Sequence, residues 1–291
     1  MDSSPVYFIH LTDTHIKAPG ARPFLNLDMS AKLRNVFAAV KELSIQPVCF
    51  IISGDLTHEG DTADYQHFRT LVDEAATDFG VPVLVALGNH DHRNPFREGY
   101  LGESPSNAAY YYTTMVDGLR FIVLDSEISD KGEKVEGKLD AAQLEWLKTQ
   151  LTTSAPRGTI IVLHHPPMRN AFRLLDNHIL TNPDELAAAI EGSDVIGLLS
   201  GHIHFNSLSS FHGITSAACA GVAFNLDPTM PKSMRFIDSA GYNLVMVQDG
   251  NMVVQPMMLP GPQTEVYHWH LGDSLAQVVS ESNPLPAELT S

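Results

Sequence analysis

The chain has 291 residues, which is long enough to bury a large core in one or two domains. Hydrophobic residues make up 44% and charged residues 18%, values typical of a soluble globular protein that exclude a disordered chain. Lysine and arginine total 18 against 34 aspartates and glutamates, so the formal net charge is −16. Because nucleic-acid affinity depends largely on basic residues that neutralise phosphates, this balance argues against nucleic-acid polymers and anionic membrane surfaces as partners.

The two cysteines and the apolar runs bear on the cellular compartment. Cys49 and Cys219 lie in apolar segments and cannot form a disulfide framework, so we expect them buried in a reducing compartment. No apolar run reaches the about 18 residues of a membrane span, and the first residues lack the basic segment of an export signal. We therefore expect a cytoplasmic protein. Histidine is the unusual residue, with 14 copies, many beside Asp, Asn or Gly.

Apolar, β-branched segments alternate with amphipathic ones through the first 200 residues. The apolar segments predict strands at residues 6–11, 48–52, 81–87, 119–124, 159–163 and 195–199. Helical spacing of apolar residues predicts helices at residues 29–43, 61–79, 140–151 and 183–190. This alternation favours βαβ units and a central, parallel-rich sheet. Beyond residue 201, shorter strands are predicted at 213–218, 242–247 and 252–259, with a hairpin turn at Asp249-Gly250.

A polar cluster follows the end of each of five predicted strands. The clusters are Asp13-Thr14-His15, Gly54-Asp55, Gly88-Asn89-His90-Asp91, His164-His165-Pro166 and Gly201-His202-Ile203-His204. Because ligands bind outside the carboxyl ends of strands in open α/β sheets, we expect the clusters to meet at one edge. Two carboxylates, an amide and at least four imidazoles are more ligands than one metal needs. Without a thiolate, this set favours a pair of Mn, Fe, Zn or Co ions.

The separate motifs differ in how specific they are. Asp-x-His and Gly-Asp are common at turns and carry little alone. Gly-Asn-His-Asp is more specific because glycine permits a tight turn, and in Gly-His-x-His alternate residues share a face and could grip one site. The other histidines are expected to be ordinary or to line the pocket: His10, His67, His178 and His212 ordinary, His58 and His92 near the pocket, and His268 and His270 on a surface or interface strand.

Together the five motifs resemble those of the calcineurin-like metallophosphoesterase superfamily, over about residues 6–259. The segments at 11–16 and 163–167 are most similar to its class III cyclic-nucleotide phosphodiesterase and glycerophosphodiesterase branch. The resemblance implies an α/β fold, a four-layer αββα sandwich with a dinuclear metal site at the carboxyl ends of the strands. It also implies one domain over residues 1–259, which leaves residues 260–291 as a C-terminal extension, loosely ordered or packed on a neighbour.

The resemblance also implies a role for each motif residue. The implied ligands fall into three sets: Asp13, His15 and His204 on the first metal, Asp55 bridging, and Asn89, His164 and His202 on the second metal. His90 is implied to reach a phosphate oxygen or the leaving group, with Asp91 orienting its ring. His165 is expected to support a ligand rather than to bind metal itself.

The activity implied is a metal-dependent phosphodiesterase that hydrolyses small phosphodiesters, cyclic nucleotides or glycerophosphodiesters, by attack of a metal-bridging hydroxide. Two alternatives stay open: a phosphomonoesterase of the same superfamily, and a non-catalytic protein-binding scaffold on the same fold. The loops at 17–28, 168–181 and 205–236 are expected to rim the pocket, but the sequence does not identify the residues that contact substrate. The strand-rich C-terminal part could pair across a two-fold axis, which favours a homodimer or higher homo-oligomer.

Overall fold

The computed structural model describes residues 4–128, 135–229 and 232–270 of the chain. Within these ranges the strands β1–β14 lie at Val6–Leu11, Phe50–Ser53, Val83–Ala86, Tyr112–Val116, Leu119–Val123, Thr159–Val162, Val195–Ser200, Ser207–Phe211, Ile214–Ala218, Asn225–Asp227, Ser233–Ile237, Gly241–Gln248, Asn251–Met258 and Glu265–His270. The helices α1–α5 lie at Met29–Lys41, Thr62–Phe79, Arg93–Phe96, Ala141–Gln150 and Pro183–Ile190. Single 3₁₀ turns lie at Phe24–Asn26 and Arg173–Leu175, and a π-helical turn at Arg97–Leu101.

Two large sheets contain most of the strands. The first has the order β13-β12-β1-β2-β3. Strands β1, β2 and β3 are parallel, β12 is antiparallel to β1, and β13 is antiparallel to β12. The second has the order β4-β5-β6-β7-β9-β8, with β5, β6, β7 and β9 parallel and antiparallel strands at both edges. A small third sheet joins β10, β11 and β14, and its strand β14 carries His268 and His270. Residues 271–291 lie outside the described part of the chain.

Three apolar layers hold the sheets and helices together. The layer between the two sheets contains Phe8 and Phe121, whose rings meet edge to face at 5.2 Å. Helices α1 and α2 cover the outer face of the first sheet, where Leu33 is fully buried. Helices α4 and α5 cover the outer face of the second sheet, where Leu147 and Leu186 are fully buried. The predicted αββα sandwich is therefore confirmed.

The alternation of strands and helices favours a central, parallel-rich sheet, but the six strands behind that expectation are divided between the two sheets. The first three predicted strands lie in one sheet and the next three in the other. The final hairpin β12–β13 returns to the first sheet, whereas β8 and β9 complete the second. Strands buried on both faces have the same apolar pattern in either sheet, so periodicity does not reveal which sheet a strand joins. Helix α3 was not predicted because four residues are too few for a helical period.

Among the described residues, no helix is both long and apolar enough for a membrane crossing. Cys49 and Cys219 are both buried and unpaired, as predicted. His10, on β1, is a fully buried polar residue of the core. Its Nε2 lies 2.9 Å from Ser53 Oγ and its Nδ1 lies 3.3 Å from Asn243 Nδ2. Burial lowers the pKa of His10 to about 3, although the nearby Asp13 charge acts to raise it.

We predict that His10 makes the fold sensitive to acid. Its folded-state pKa lies below the unfolded value, so the unfolded chain binds the proton more readily as the pH falls below about 6.5. Acidification from pH 7 to pH 5 should remove about 2 kcal/mol from the free energy of unfolding through this residue. Urea unfolding of wild type and His10→Gln in a chelator should therefore show a shallower pH dependence for the variant. Equal pH dependence in the two proteins would contradict the prediction.

Candidate metal centre

The side chains that follow β1, β2, β3, β6 and β7 come together at one place, although they span residues 13 to 204. Four of them form what we call the first donor group: Asp13, His15, Asp55 and His204. Their ligand atoms all lie within 4.8 Å of one another, and all four side chains are buried. His15 Nε2 is 3.3 Å from His204 Nε2 and 3.6 Å from Asp55 Oδ2.

The second donor group consists of Asp55, His164 and His202, whose ligand atoms also lie within 4.8 Å of one another. His164 Nε2 is 3.4 Å from Asp55 Oδ1 and 3.2 Å from Asn89 Oδ1, so the amide of Asn89 adjoins this group. Asp55 belongs to both groups, with Oδ2 towards His15 and Oδ1 towards His164. A carboxylate in this position can bridge two cations.

The chemistry of the donors fits divalent cations. His202 is 5% exposed, and neither of its ring nitrogens has a hydrogen-bond partner within the described part of the chain. Buried polar atoms are otherwise almost always paired, so these nitrogens indicate a missing partner. Nitrogen and oxygen donors without sulfur suit hard or borderline cations. The two groups could therefore hold divalent metals.

The pKa values in the site reflect its mixture of buried charges. Burial lowers the pKa of His15 and of His202 well below 6.5, which keeps these rings neutral and their lone pairs available. Burial acts most strongly, to lower the pKa of His164, but the charge and hydrogen bond of Asp55, with the Asp13 charge and the Ser53 carbonyl, together outweigh it and raise this pKa to about 10. The Asp13 charge likewise raises the pKa of His204 against the effect of burial. Cation binding would have to displace the protons from these last two rings.

The backbone at these positions is strained. Asp13, His15, Asp55, His202 and His204 all have positive φ angles, between 44° and 74°. This left-handed conformation costs a non-glycine residue about 1–2 kcal/mol, and such strain concentrates at functional sites. Hydrogen bonds from Asp13 N to the Gly54 carbonyl and from His15 N to the Asp55 carbonyl, each 3.0 Å, hold the loops in place.

The backbone conformation contradicts the expectation that the two histidines of the Gly-His-x-His motif share one face of a strand. Strand β7 ends at Ser200, so His202 and His204 are not alternate residues on one face of a strand. Both are left-handed, and they do not share one donor group: His204 contributes to the first and His202 to the second. The motif therefore contributes one ring to each donor group, which is the division that the family resemblance implies.

Two glycines are required because other groups approach them closely. A Cβ at Gly88 would lie 2.3 Å from Asp55 Oδ1, and one at Gly54 would lie 2.4 Å from His164 Nδ1. Gly54 also has a φ of +102°, which side chains rarely permit. Gly88 begins the expected tight turn, in which the Asp91 N–H donates to the Gly88 carbonyl at 3.1 Å, and it also makes room for the shared carboxylate.

His90 lies next to the donor groups without belonging to either of the two. Its backbone N–H donates to Asp55 Oδ1 at 2.9 Å, and its ring Nδ1 donates to the backbone carbonyl of His58 at 2.9 Å. The ring is half-buried, and its centroid is 4.8 Å from that of His15. Within the described ranges no residue is hydrogen-bonded to its other ring nitrogen, which could therefore contact a bound molecule.

The expectation that Asp91 orients the His90 ring is wrong. The Asp91 carboxylate accepts hydrogen bonds from three backbone N–H groups and one phenol: Gly88, Leu56, Thr57 and Tyr65. These contacts tie together the loops that follow β2 and β3. Burial, helped by the Asp55 charge, raises the pKa of Asp91 to about 7. Asp91 therefore supports the loop that carries His90, and the His58 carbonyl holds the ring.

Three further histidines surround the donor groups. The His165 ring lies 4.6 Å from that of His202, and its Nδ1 is 2.8 Å from Ser126 Oγ. His178, which sequence reasoning treated as an ordinary loop residue, brings its ring to 5.1 Å from that of His202. Burial lowers the pKa of His178 to about 4 and that of His58 to about 3. No local pattern marks His178, whereas the position of His58, three residues after Asp55, gave a usable signal.

The chain is similar to known phosphoesterases. A family model described as calcineurin-like phosphoesterase matches residues 6–206. A cAMP/cGMP dual specificity phosphodiesterase of Mycobacterium tuberculosis is 32% identical over 258 residues, covering 88% of this chain and 80% of that protein. A probable glycerophosphodiester phosphodiesterase, GpdQ, of Arcobacter nitrofigilis is 27% identical over 200 residues, covering 67% and 71%.

The fold is also similar to that of a dimetal phosphatase from Danio rerio, whose crystal structure superposes with a TM-score of 0.53. That comparison covers 86% of this chain and 98% of the other at 16% identity, so it concerns the fold alone. The family match extends over more than half of the chain and includes all five motifs. The chain belongs to the calcineurin-like phosphoesterase family, whose members use divalent metals, and it is a phosphoester hydrolase.

Proposed function

We propose that this protein is a metal-dependent phosphodiesterase that hydrolyses small phosphodiesters, either cyclic nucleotides or glycerophosphodiesters. The observation that carries the proposal is the pair of donor groups that share Asp55. Two cations about 3.5–4 Å apart can clamp the attacking and leaving oxygens of an in-line displacement at phosphorus. The names of the relatives, which include a cyclic-nucleotide and a glycerophosphodiester phosphodiesterase, support this substrate class.

The proposed ligands follow the two donor groups. One cation would be held by Asp13, His15 and His204, and the other by Asn89, His164 and His202, with Asp55 shared. When bound, two ions of Mn, Fe, Zn or Co type would supply a hydroxide nucleophile near neutral pH and neutralise the phosphate. That neutralisation is needed because a chain of net charge −16 repels anions.

His90 is proposed to act on the substrate directly. The carbonyl of His58 accepts a hydrogen bond from Nδ1 of His90, so Nδ1 carries a proton and Nε2 is the atom available to a phosphate oxygen or to the leaving alkoxide. The backbone N–H of His90 meanwhile donates to the shared carboxylate. One residue thereby ties the position of the substrate-contacting ring to the position of Asp55.

Two cavities lie along loops that are expected to rim the site, although neither is lined by a donor residue or by His90. One of about 640 Å³ is lined by Pro167, Met168 and Arg169, which follow His165 along the chain, and by residues 179–181, which follow His178. Another of about 450 Å³ is lined by Lys17 and by Phe24, whose ring stacks on His58. Small-molecule sites have about this size, roughly 300–1,000 Å³. The loops at 17–28 and 168–181 are thus proposed to contribute the walls around the ester groups.

The proposal also covers the domain boundaries, the cellular location and the oligomeric state. Residues 1–259 would form the catalytic domain, with residues 260–291 as an extension whose strand β14 pairs with β11 of that domain. The protein would act in the cytoplasm, in keeping with its two unpaired cysteines. It would form a homodimer or higher homo-oligomer.

The first test compares a diester with a monoester. Protein reconstituted with Mn²⁺ should hydrolyse a bis-aryl phosphate with a higher kcat/KM than the matching mono-aryl phosphate. The measurement is the absorbance of the phenol that each reaction releases. The opposite preference would make the protein a phosphomonoesterase. Substoichiometric metal without turnover of either compound would instead indicate a non-catalytic scaffold.

Replacing Asp55 should remove the shared ligand. We predict that Asp55→Asn reduces the metal content from about two ions per chain to one or none, because a neutral amide neither bridges two cations nor balances their charge. The measurement is metal per folded chain by inductively coupled plasma mass spectrometry. Asp73→Asn, an exposed change on α2, is the matched control. Two tightly held ions in the Asp55 variant would refute the shared-ligand role.

Removing the His90 ring should separate catalysis from metal binding. His90→Ala is expected to lower kcat by about 10²-fold, the usual contribution of a positioned acid–base group, while both ions are retained. Steady-state kinetics and metal analysis on one preparation provide both values, with His268→Ala on β14, outside both cavities, as the control. Loss of metal in the His90 variant would show that its role is to bind the cations.

A further inference from the structure

His58 contacts two residues of the proposed active site, the metal ligand His15 and the substrate-contacting His90. Metal binding by His58 explains neither contact. Its ring Nδ1 lies 3.2 Å from Nδ1 of His15. Its backbone carbonyl accepts the hydrogen bond from Nδ1 of His90 at 2.9 Å. The His58 side chain is only 10% exposed, so bulk water does not compete freely for these contacts.

The direction of the His15–His58 hydrogen bond follows from which nitrogen faces the donor group. Nε2 of His15 points towards His204 and Asp55, at 3.3 and 3.6 Å. A cation held there takes the Nε2 lone pair, so the single proton of the neutral ring is on Nδ1. His15 Nδ1–H then donates to His58 Nδ1, and His58 carries its own proton on Nε2, 4.0 Å from Glu59 Oε1.

Stacking fixes the plane of the His58 ring. The Phe24 ring lies 4.2 Å away with an interplanar angle of 27°, and the His90 ring lies 5.2 Å away at 19°. Phe24 belongs to the loop that follows β1, in which Leu25 and Asn26 have positive φ angles of 52° and 56°. This loop therefore holds Phe24 against His58 with a backbone conformation that non-glycine residues adopt at a cost.

We infer that His58 is a positioning residue that fixes the tautomer of His15 through its ring and the orientation of His90 through its carbonyl, with Phe24 holding the ring in its plane. The inference rests on the proposed function, because it takes His15 as a cation ligand and His90 as a substrate contact. Partners of this kind behind a metal-binding histidine typically change metal affinity about 10–100-fold when removed.

A third cation held by His15, His58 and His90, whose ring nitrogens also lie within 4.8 Å of one another, is the competing reading. His15 would have to lose its last proton to bind metal at both nitrogens. The hydrogen-bonded arrangement does not require this deprotonation.

Two substitutions separate the hydrogen bond from the stacking. His58→Phe keeps a flat ring against Phe24 but cannot accept a hydrogen bond, whereas His58→Asn loses the stacking but offers an oxygen near the position of Nδ1. His67→Phe, at another half-buried histidine, on α2, is the matched control. All three variants keep the backbone carbonyl of residue 58.

Titration of each metal-free protein with Zn²⁺ against a chromophoric chelator measures affinity and stoichiometry. His58→Phe is expected to weaken one of two ions at least tenfold, with His58→Asn and His67→Phe within about threefold of wild type. Equal affinity in His58→Phe and wild type would overturn the inference. A third ion in wild type that is lost in His58→Phe would overturn it in favour of the competing reading.

Nitrogen-15 NMR of the histidine side chains in Zn²⁺-loaded wild type tests the tautomer without relying on any variant's folding. His15, assigned through His15→Gln, should show a protonated, hydrogen-bonded Nδ1 and a metal-shifted Nε2. An unprotonated Nδ1 would overturn the inference even if His58→Phe does not fold. Failure of the proposed function gives a different result: a non-catalytic scaffold would bind substoichiometric Zn²⁺ already in wild type, whereas a preference for monoesters would leave the effect of His58→Phe on Zn²⁺ affinity in place.

Discussion

The candidate site depends on one buried carboxylate that serves two groups of histidines. Asp55 is 2% exposed, and its two oxygens face His15 on one side and His164 on the other. Burial acts to raise the pKa of Asp55, but the charges of His164 and His90 lower it well below its usual range. A buried carboxylate is stable in this ionised form only with positive partners close by, whether protonated rings or metal cations. The arrangement around Asp55 therefore requires strict placement of groups from distant parts of the chain.

The two-sheet architecture supplies that placement. Asp55 follows a strand of the first sheet and His164 a strand of the second, so the layer between the sheets sets their separation. Phe8 and Phe121 pack edge to face in that layer, where truncation of an aromatic ring typically costs about 3–5 kcal/mol. The left-handed backbone at the donor residues costs additional free energy, which the packing of the core must offset. Core and site are thus coupled through the distance between the sheets.

Sequence reasoning succeeded where the signal is local. Apolar runs and helical periods located the strands and helices that carry the site, because burial on one or two faces leaves a repeating pattern. The five motifs at strand ends were expected to converge, and the structure brings their side chains together. Three features of the site did not follow from local pattern. Asp91 binds backbone amides rather than the His90 ring, His202 and His204 do not share one face of a strand, and His178 reaches the site from a loop.

By itself, the sequence determined the kinds of donor atom, their position after the strands and the absence of a sulfur ligand, because these are properties of residue type and spacing. It also determined the layered α/β class through the order of apolar and amphipathic segments. Only the tertiary structure decided which sheet each strand joins, and which carbonyl holds the His90 ring. The physical reason is that these contacts join residues far apart in the chain through left-handed turns, and hydrophobic periodicity records neither chain reversals nor hydrogen-bond partners.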